Sequence, residues 1–276
     1  MEEVQAADSP PVRLAFRTAY LGDRFYGSQV QAGERTVEGE FIAACRRAGL
    51  FSDPRDARFL GAGRTDRGVH ARAQVYAFTT LFPERALIAL PWQLPGDILV
   101  TGYVVVDPEF HPRYRAVSRT YRYYFGRQGL DREAMAAAAG LFAGTHDFTR
   151  FARIEGKDPV RTVLASRVFG DTCLLCFEVT AESFLWHMVR YLAAALLLVG
   201  EGSWDAETIR KRLEGEEIPA LGPAPPENLV LWDVDCGIRF EPVGDAGRSR
   251  QFLQERRECH TVMARICGAL LDRGEG

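Results

Sequence analysis

Apolar and polar residues alternate from Val12 to Tyr20 with the period of a half-buried strand. The period then lengthens. Thr36 is placed to cap a helix through about Ala48, with Glu38 and Glu40 in its first turn and Val37, Phe41 and Cys45 along one face. β-Branched and aromatic runs predict strands near 58–60, 73–79 and 98–106, while Pro83 and the Pro91–Pro95 segment bound a short helical stretch. The second half repeats this grammar. Strands at Arg119–Phe125 and 163–169 enclose an alanine-rich helix near 131–143, and another strand covers 172–180. A long helix is expected from Ser183 to about Val199 and a shorter one near 205–214; the proline-rich stretch 219–226 then leads into a strand at Leu229–Cys236. Strands mixed with helices, without strict βαβ alternation, indicate an α+β fold with a largely antiparallel sheet. The expected divisions are a flexible N-terminus at 1–11, α+β halves at 12–109 and 110–243, and a helical extension at 244–276. In that extension Arg248 to Leu271 reads as an amphipathic helix, with Phe252, Val262, Ile266 and Leu270 among its apolar positions, suited to packing or to a dimer interface.

Composition adds limits. At 276 residues and 47% hydrophobic, the chain can bury one large core or two modest ones. Its longest apolar run, Tyr191 to Gly200, is too short for a membrane span, and the polar, acidic start is unlike a signal peptide, so a cytoplasmic location is the default expectation. Cys173-Leu-Leu-Cys176 has metal-ligand spacing, but the expected strand sends the two thiols to opposite faces, which argues against shared zinc. The net charge of −3 argues against a nucleic-acid partner, yet all basic residues except Lys157 and Lys211 are arginine. The stretch His111–Arg127 holds Arg113, Arg115, Arg119, Arg122 and Arg127 with four tyrosines and no acid. Such a pattern suits phosphate contacts and base stacking, and equally a solvated charged strand.

Candidate chemistry concentrates in Gly61–His70. A lone acid, Asp66, sits between Arg64 and Arg67 in a loop with glycines at 61, 63 and 68. Glycine permits turns that would hold one side chain at a fixed exposed point, and a carboxylate beside arginine stays ionised as a nucleophile or base. A plain glycine-rich turn fits the spacing as well. A dinucleotide fingerprint does not, because Asp66 stands where its third glycine belongs. The second signal is Arg190, on a predicted helix that is apolar nearly all round; a guanidinium there needs an anion, and Asp66 is the one proposed.

The string Gly-Arg-Thr-Asp-x-Gly-Val-His-Ala from Gly63 to Ala71 resembles the catalytic signature of the TruA family of tRNA pseudouridine synthases. Further stretches agree in the family's order: Tyr20–Gln31, Leu94–Ile98, Phe110–Arg115, Ser118–Tyr123, Gly144–Phe148 and Phe184–Arg190. Leu21, Ser28 and Pro226-Glu-Asn depart from the bacterial pattern and resemble an archaeal branch. The resemblance implies two ferredoxin-like α/β halves fused through a continuous, largely antiparallel mixed sheet, with the catalytic cleft between them. It implies isomerisation of uridine to pseudouridine at positions 38, 39 and 40 of the tRNA anticodon stem-loop, by a homodimer and without a cofactor. Asp66 would be the nucleophile, Arg190 its partner, and Tyr121 the residue that stacks on the uracil and helps remove the C5 proton. Arg64 would hold the everted nucleotide or its backbone. Arg67, Arg72, Gln29 and His70 are weaker RNA contacts, joined by Arg113, Arg115 and Arg119 from the basic stretch. Two alternatives stay open: a tRNA-binding protein or RNA chaperone without chemistry, and an RNA N-glycoside hydrolase with Asp147 as second acid.

Overall fold

The structure, a computed structural model, describes residues 10–171, 174–216, 219–244 and 247–271. The expected flexible N-terminus therefore lies, up to residue 9, outside the described residues, as does Cys173. The strands are β1 (Val12–Tyr20), β2 (Leu60–Gly61), β3 (His70–Thr80), β4 (Ile98–Val105), β5 (Ser118–Phe125), β6 (Gly144–Asp147), β7 (Val160–Gly170), β8 (Leu175–Ala181) and β9 (Leu229–Asp235). They form one continuous sheet in the order β4-β1-β3-β9-β5-β8-β7-β6, with β2 beside β3. Every ladder is antiparallel except β3 with β9, which pairs His70 with Val230 and Ala71 with Leu231. The last strand in the chain thus sits mid-sheet and joins the two halves.

The helices are α1 (Val37–Arg47), α2 (Pro83–Gln93), α3 (Pro112–Arg115), α4 (Arg132–Gly140), α5 (Met188–Gly200), α6 (Ala206–Leu213) and α7 (Arg248–Leu271). Their starts follow local chemistry. The side chains of Thr36, Asp131 and Asp205 accept hydrogen bonds from the backbone N–H groups of Gly39, Ala134 and Thr208, each satisfying a donor the first turn leaves open. Two cores result. Leu14, Phe16, Phe41, Tyr76 and Phe78 fill the first, beside α1; Phe142, Phe151, Phe177, Met188, Leu192 and Leu196 fill the second, beside α4 and α5. Each such side chain contributes roughly 1.5–3 kcal/mol. Tyr121 packs against both, so the seam between the cores runs past it.

Several elements differ from the periodicity reading. Helix α5 begins at Met188 and not at Ser183, because Arg153 N–H donates to the Trp186 carbonyl at 2.9 Å and holds that segment as an extended bridge. Phe184 and Trp186 are therefore not on the helix. Strand β3 starts three residues early, at His70, where β9 supplies partners; a register shift opposite Thr18 and Tyr20 absorbs the mismatch. Helix α2 runs through Pro91, which the sequence places at its boundary; only the final turn follows that proline. Short, polar β6 and four-residue α3 carry no periodic signal and were not expected.

Helix α7 has the expected span but little packing. Ser249 Oγ donates to the Ile98 carbonyl at 2.9 Å, Phe252 lies against Gly96, and Arg256 meets Asp23 at 2.6 Å. From Arg257 onward every described residue of the helix is exposed. Among the described residues, no helix is long and apolar enough to cross a membrane.

Candidate active site

The loop joining β2 to β3 is fixed at both ends by the sheet. Ala62 N–H donates to the Val75 carbonyl at 2.8 Å and the Gln74 side chain to the Gly63 carbonyl at 2.9 Å. A second segment clamps its middle. Ser28 N–H donates to the Thr65 carbonyl at 3.0 Å, Thr65 N–H donates to Ser28 Oγ at 2.9 Å, and the Tyr20 and Thr65 hydroxyls share a hydrogen bond at 2.8 Å. Asp66 then opens a tight turn closed by Val69 N–H on its carbonyl at 3.1 Å, with Gly68 at φ +83° in the position where such turns require glycine. Gly22 seals the far side: a Cβ there would lie 2.0 Å from the Val69 carbonyl oxygen, so only glycine fits. These contacts hold the Asp66 backbone and leave its carboxylate one-third exposed.

That carboxylate faces three groups from the segment entering α5. Trp186 Nε1–H donates to Oδ1 at 3.2 Å. His187 Nε2 lies 3.3 Å and Arg190 Nη1 3.8 Å from Oδ2. The Arg190 Nε–H also donates to the Ala224 carbonyl at 2.7 Å, and Ala224 N–H returns a bond to the Arg190 carbonyl, so the proline-rich stretch holds the guanidinium in place. At 13% exposure, the Arg190 charge has Asp66 as its neighbouring anion. Burial pushes the His187 proton affinity below its usual value against the opposing pull of Asp66, and its Nδ1 is buried without a partner among the described residues. Tyr121 packs edge-to-face on Phe184 at 5.0 Å, and burial, reinforced by the Asp66 charge, pushes its phenol up to about 12.

A cavity of about 540 Å³ opens over Asp66, within the range that holds small ligands. Gln29, Arg64, Arg67, Trp186 and Arg190 are among its lining, and Arg67 stacks on Tyr26 at 4.2 Å. The structure thus brings Asp66, Arg190, Arg64, Arg67 and Gln29 together, with Tyr121 beside them.

The remaining candidates stand elsewhere. Arg72 stacks on Trp232 at 4.6 Å, beside Arg122 on the same indole, and lines no part of the cavity. His70 accepts the Gly22 N–H through Nδ1 and donates through Nε2 to the Glu227 carbonyl, which occupies both nitrogens. The Arg119 fork donates to the carbonyls of Ala62, Arg113 and Glu182, tying the loop to β5 and spending its donors on backbone. Arg113 and Arg115 are exposed on α3, outside the cavity lining. Asp147 sits on the edge strand β6, where it accepts the Thr149 N–H, and it too is absent from the cavity wall. Sequence reasoning missed Trp186 and His187 as neighbours of Asp66. Both stand in the quoted Phe184–Arg190 motif, but a helix drawn from Ser183 assigned them to helical faces.

Comparisons with known proteins place the chain in a family. The sequence profile of the tRNA pseudouridine synthase family matches residues 138–235. The chain is 54% identical over 260 residues to tRNA pseudouridine synthase A of Methanoculleus marisnigri, covering 94% of this chain and 96% of that protein. It is 52% identical over 262 residues to the Methanosphaerula palustris protein of the same name, covering 95% and 93%. The Thermococcus kodakarensis protein of that name is 44% identical over 235 residues, covering 83% and 87%. A chain of a Cbf5-Nop10-Gar1 complex aligns over 71% of this chain and 56% of its own at 11% identity, with a TM-score of 0.34, too distant to bear on the chemistry.

Proposed function

The chain belongs to the tRNA pseudouridine synthase A family, and from that premise we propose that Asp66 is the nucleophile of its uridine isomerisation. Membership makes it an isomerase acting on tRNA. The reaction breaks the bond between uracil N1 and ribose C1′, turns the base, and joins C5 to C1′, C5 losing its proton and N1 gaining one. Atoms in equal atoms out, so no cofactor is consumed. Asp66 acts either by attacking C1′ or by removing a proton from the sugar, and both routes need it ionised. The observation that carries this reading is the Asp66 carboxylate, open to a cavity and faced by Trp186, His187 and Arg190. Each of these donors interacts better with a carboxylate than with a carboxylic acid.

The proposal extends to the substrate. Arg64 and Arg67 at the cavity mouth would take the phosphates of an everted nucleotide, and Tyr121 would stack on its base. The targets we propose are uridines 38, 39 and 40 of the anticodon stem-loop, modified by a homodimer in the cytoplasm. Incubating the protein and Asp66→Asn with unmodified tRNA transcripts, followed by position-resolved mapping with carbodiimide, tests this. The expected outcome is pseudouridine at one or more of these positions. Asp66→Asn should lose on the order of 10³-fold or more in rate while keeping tRNA affinity within a few-fold. An active Asn variant would remove Asp66 from the role, and free uracil in the supernatant would indicate hydrolysis instead.

A further inference from the structure

Among the described residues, only Arg58 and His187 are non-glycine residues with positive φ. His187, at φ +62°, pays a conformational cost that a histidine avoids elsewhere. It sits at the one point where the chain turns from the bridge with Arg153 into α5. Past this turn, residues 186, 187 and 190 all face one carboxylate. Trp186 approaches Oδ1, and His187 and Arg190 approach Oδ2, so each oxygen has its own neighbours.

We propose that Trp186 is a positioning residue for Asp66, its indole N–H fixing the carboxylate in the reactive orientation. This rests on the reading of Asp66 as nucleophile. Trp186 suits the task for reasons beyond the bond itself. Its N–H is its one donor and it has no acceptor, so it binds the ionised carboxylate in a single sense. Arg153 packs over the ring at 5.0 Å, and the ring contacts His187 at 4.7 Å between centroids, which limits its rotation. Yet the indole is 40% exposed and lines the cavity, so it is not a core residue kept for stability. The charged and titratable groups round the carboxylate include Tyr26, Arg64, Arg67, Tyr121, Arg153, His187, Arg190 and Glu227, and among the described residues Trp186 is the side chain that donates to Oδ1.

The test compares Trp186→Phe, Trp186→His and Asp66→Asn with the unaltered chain in steady-state kinetics on tRNA. Phenylalanine keeps the aromatic face and deletes the donor; in histidine, Nε2 occupies the ring position of indole Nε1, so the donor returns on a smaller ring. Trp186→Phe should lower kcat roughly tenfold with KM within about twofold, because the donor that orients the carboxylate is gone. Trp186→His should recover most of the loss. Unchanged kcat in Trp186→Phe, beside a dead Asp66→Asn, would overturn the positioning role alone. An active Asp66→Asn would overturn the nucleophile and this role with it. Loss in Trp186→Phe without recovery in Trp186→His, and with a lowered melting temperature, would mark Trp186 as merely structural.

Discussion

Tyr121 shows how much one residue's role depends on its surroundings. As a strand tyrosine it is an ordinary core aromatic, and the resemblance gave it a part in removing the C5 proton. Its phenol, pushed up to about 12 mainly by burial, is neutral at any physiological pH and therefore a weak base unless substrate binding changes its environment. Stability follows the same sign. The raised value favours the fold below the ordinary tyrosine value of about 10, and that contribution is lost as pH climbs toward about 12. If the neutral phenol is the working form, kcat should stay flat between about pH 8 and 10 instead of rising with each pH unit. Tyr121→Phe should lower kcat about 10²-fold or more, read by the same initial-rate assay. At this scale the sequence already held the reacting types. Asp66 between arginines and Arg190 in an apolar run were conspicuous because charge in those settings demands an explanation. Arg119 and Arg72 were weaker candidates, since an arginine's sequence neighbours do not reveal whether carbonyls or an indole already engage it.

The decisive element is the β2–β3 hairpin loop, which works through rigidity. Its backbone is bonded to β3, to Ser28 and to Tyr20, and Gly22 lets another strand of chain pass against Val69 with no side chain between. Gly22→Ala places a methyl carbon 2.0 Å from a backbone oxygen, and neither partner is a flexible side chain that could move aside. The expected cost is about 2–3 kcal/mol in chemical denaturation. Displacing Asp66 should also lower kcat roughly 10- to 100-fold, because small misplacements of a reacting group are expensive. Element existence was legible where periodicity was long, as in β1, α1, α4 and α7. The start of α5 was not. Phe184 to Arg190 has helical composition, and only the tertiary bridge from Arg153 keeps its first residues extended. Ser28 likewise looked like a mere departure from a family pattern until its hydroxyl proved to accept the Thr65 N–H.

Across the whole molecule, net charge and local charge diverge. The chain totals −3, yet Arg64, Arg67 and Arg190 converge on one cavity while Glu178, Glu201 and Asp97 are each engaged with other arginines. A tRNA would meet the local field, so binding should weaken with salt despite the acidic total. Two phosphate contacts, from Arg64 and Arg67, predict about a tenfold loss of tRNA affinity between roughly 50 and 200 mM salt, measurable by filter binding. Arg67→Ala should flatten that dependence. The central place of β9 is also a property of the whole: the last strand of the sheet closes the gap between β3 and β5, setting the Asp66 loop of one half opposite the α5 entry of the other.

The sequence by itself determined the fold class, most helices and strands, and the identity of the central acid and its arginine, because these depend on local periodicity, capping chemistry and the rarity of charge in apolar surroundings. Tertiary structure alone decided which donors reach Asp66, which arginines remain open to a ligand, and where α5 begins. Those outcomes turn on contacts between residues far apart in the chain, as Trp186 is 120 positions from Asp66, and no local pattern encodes a partner brought in by the far side of a sheet.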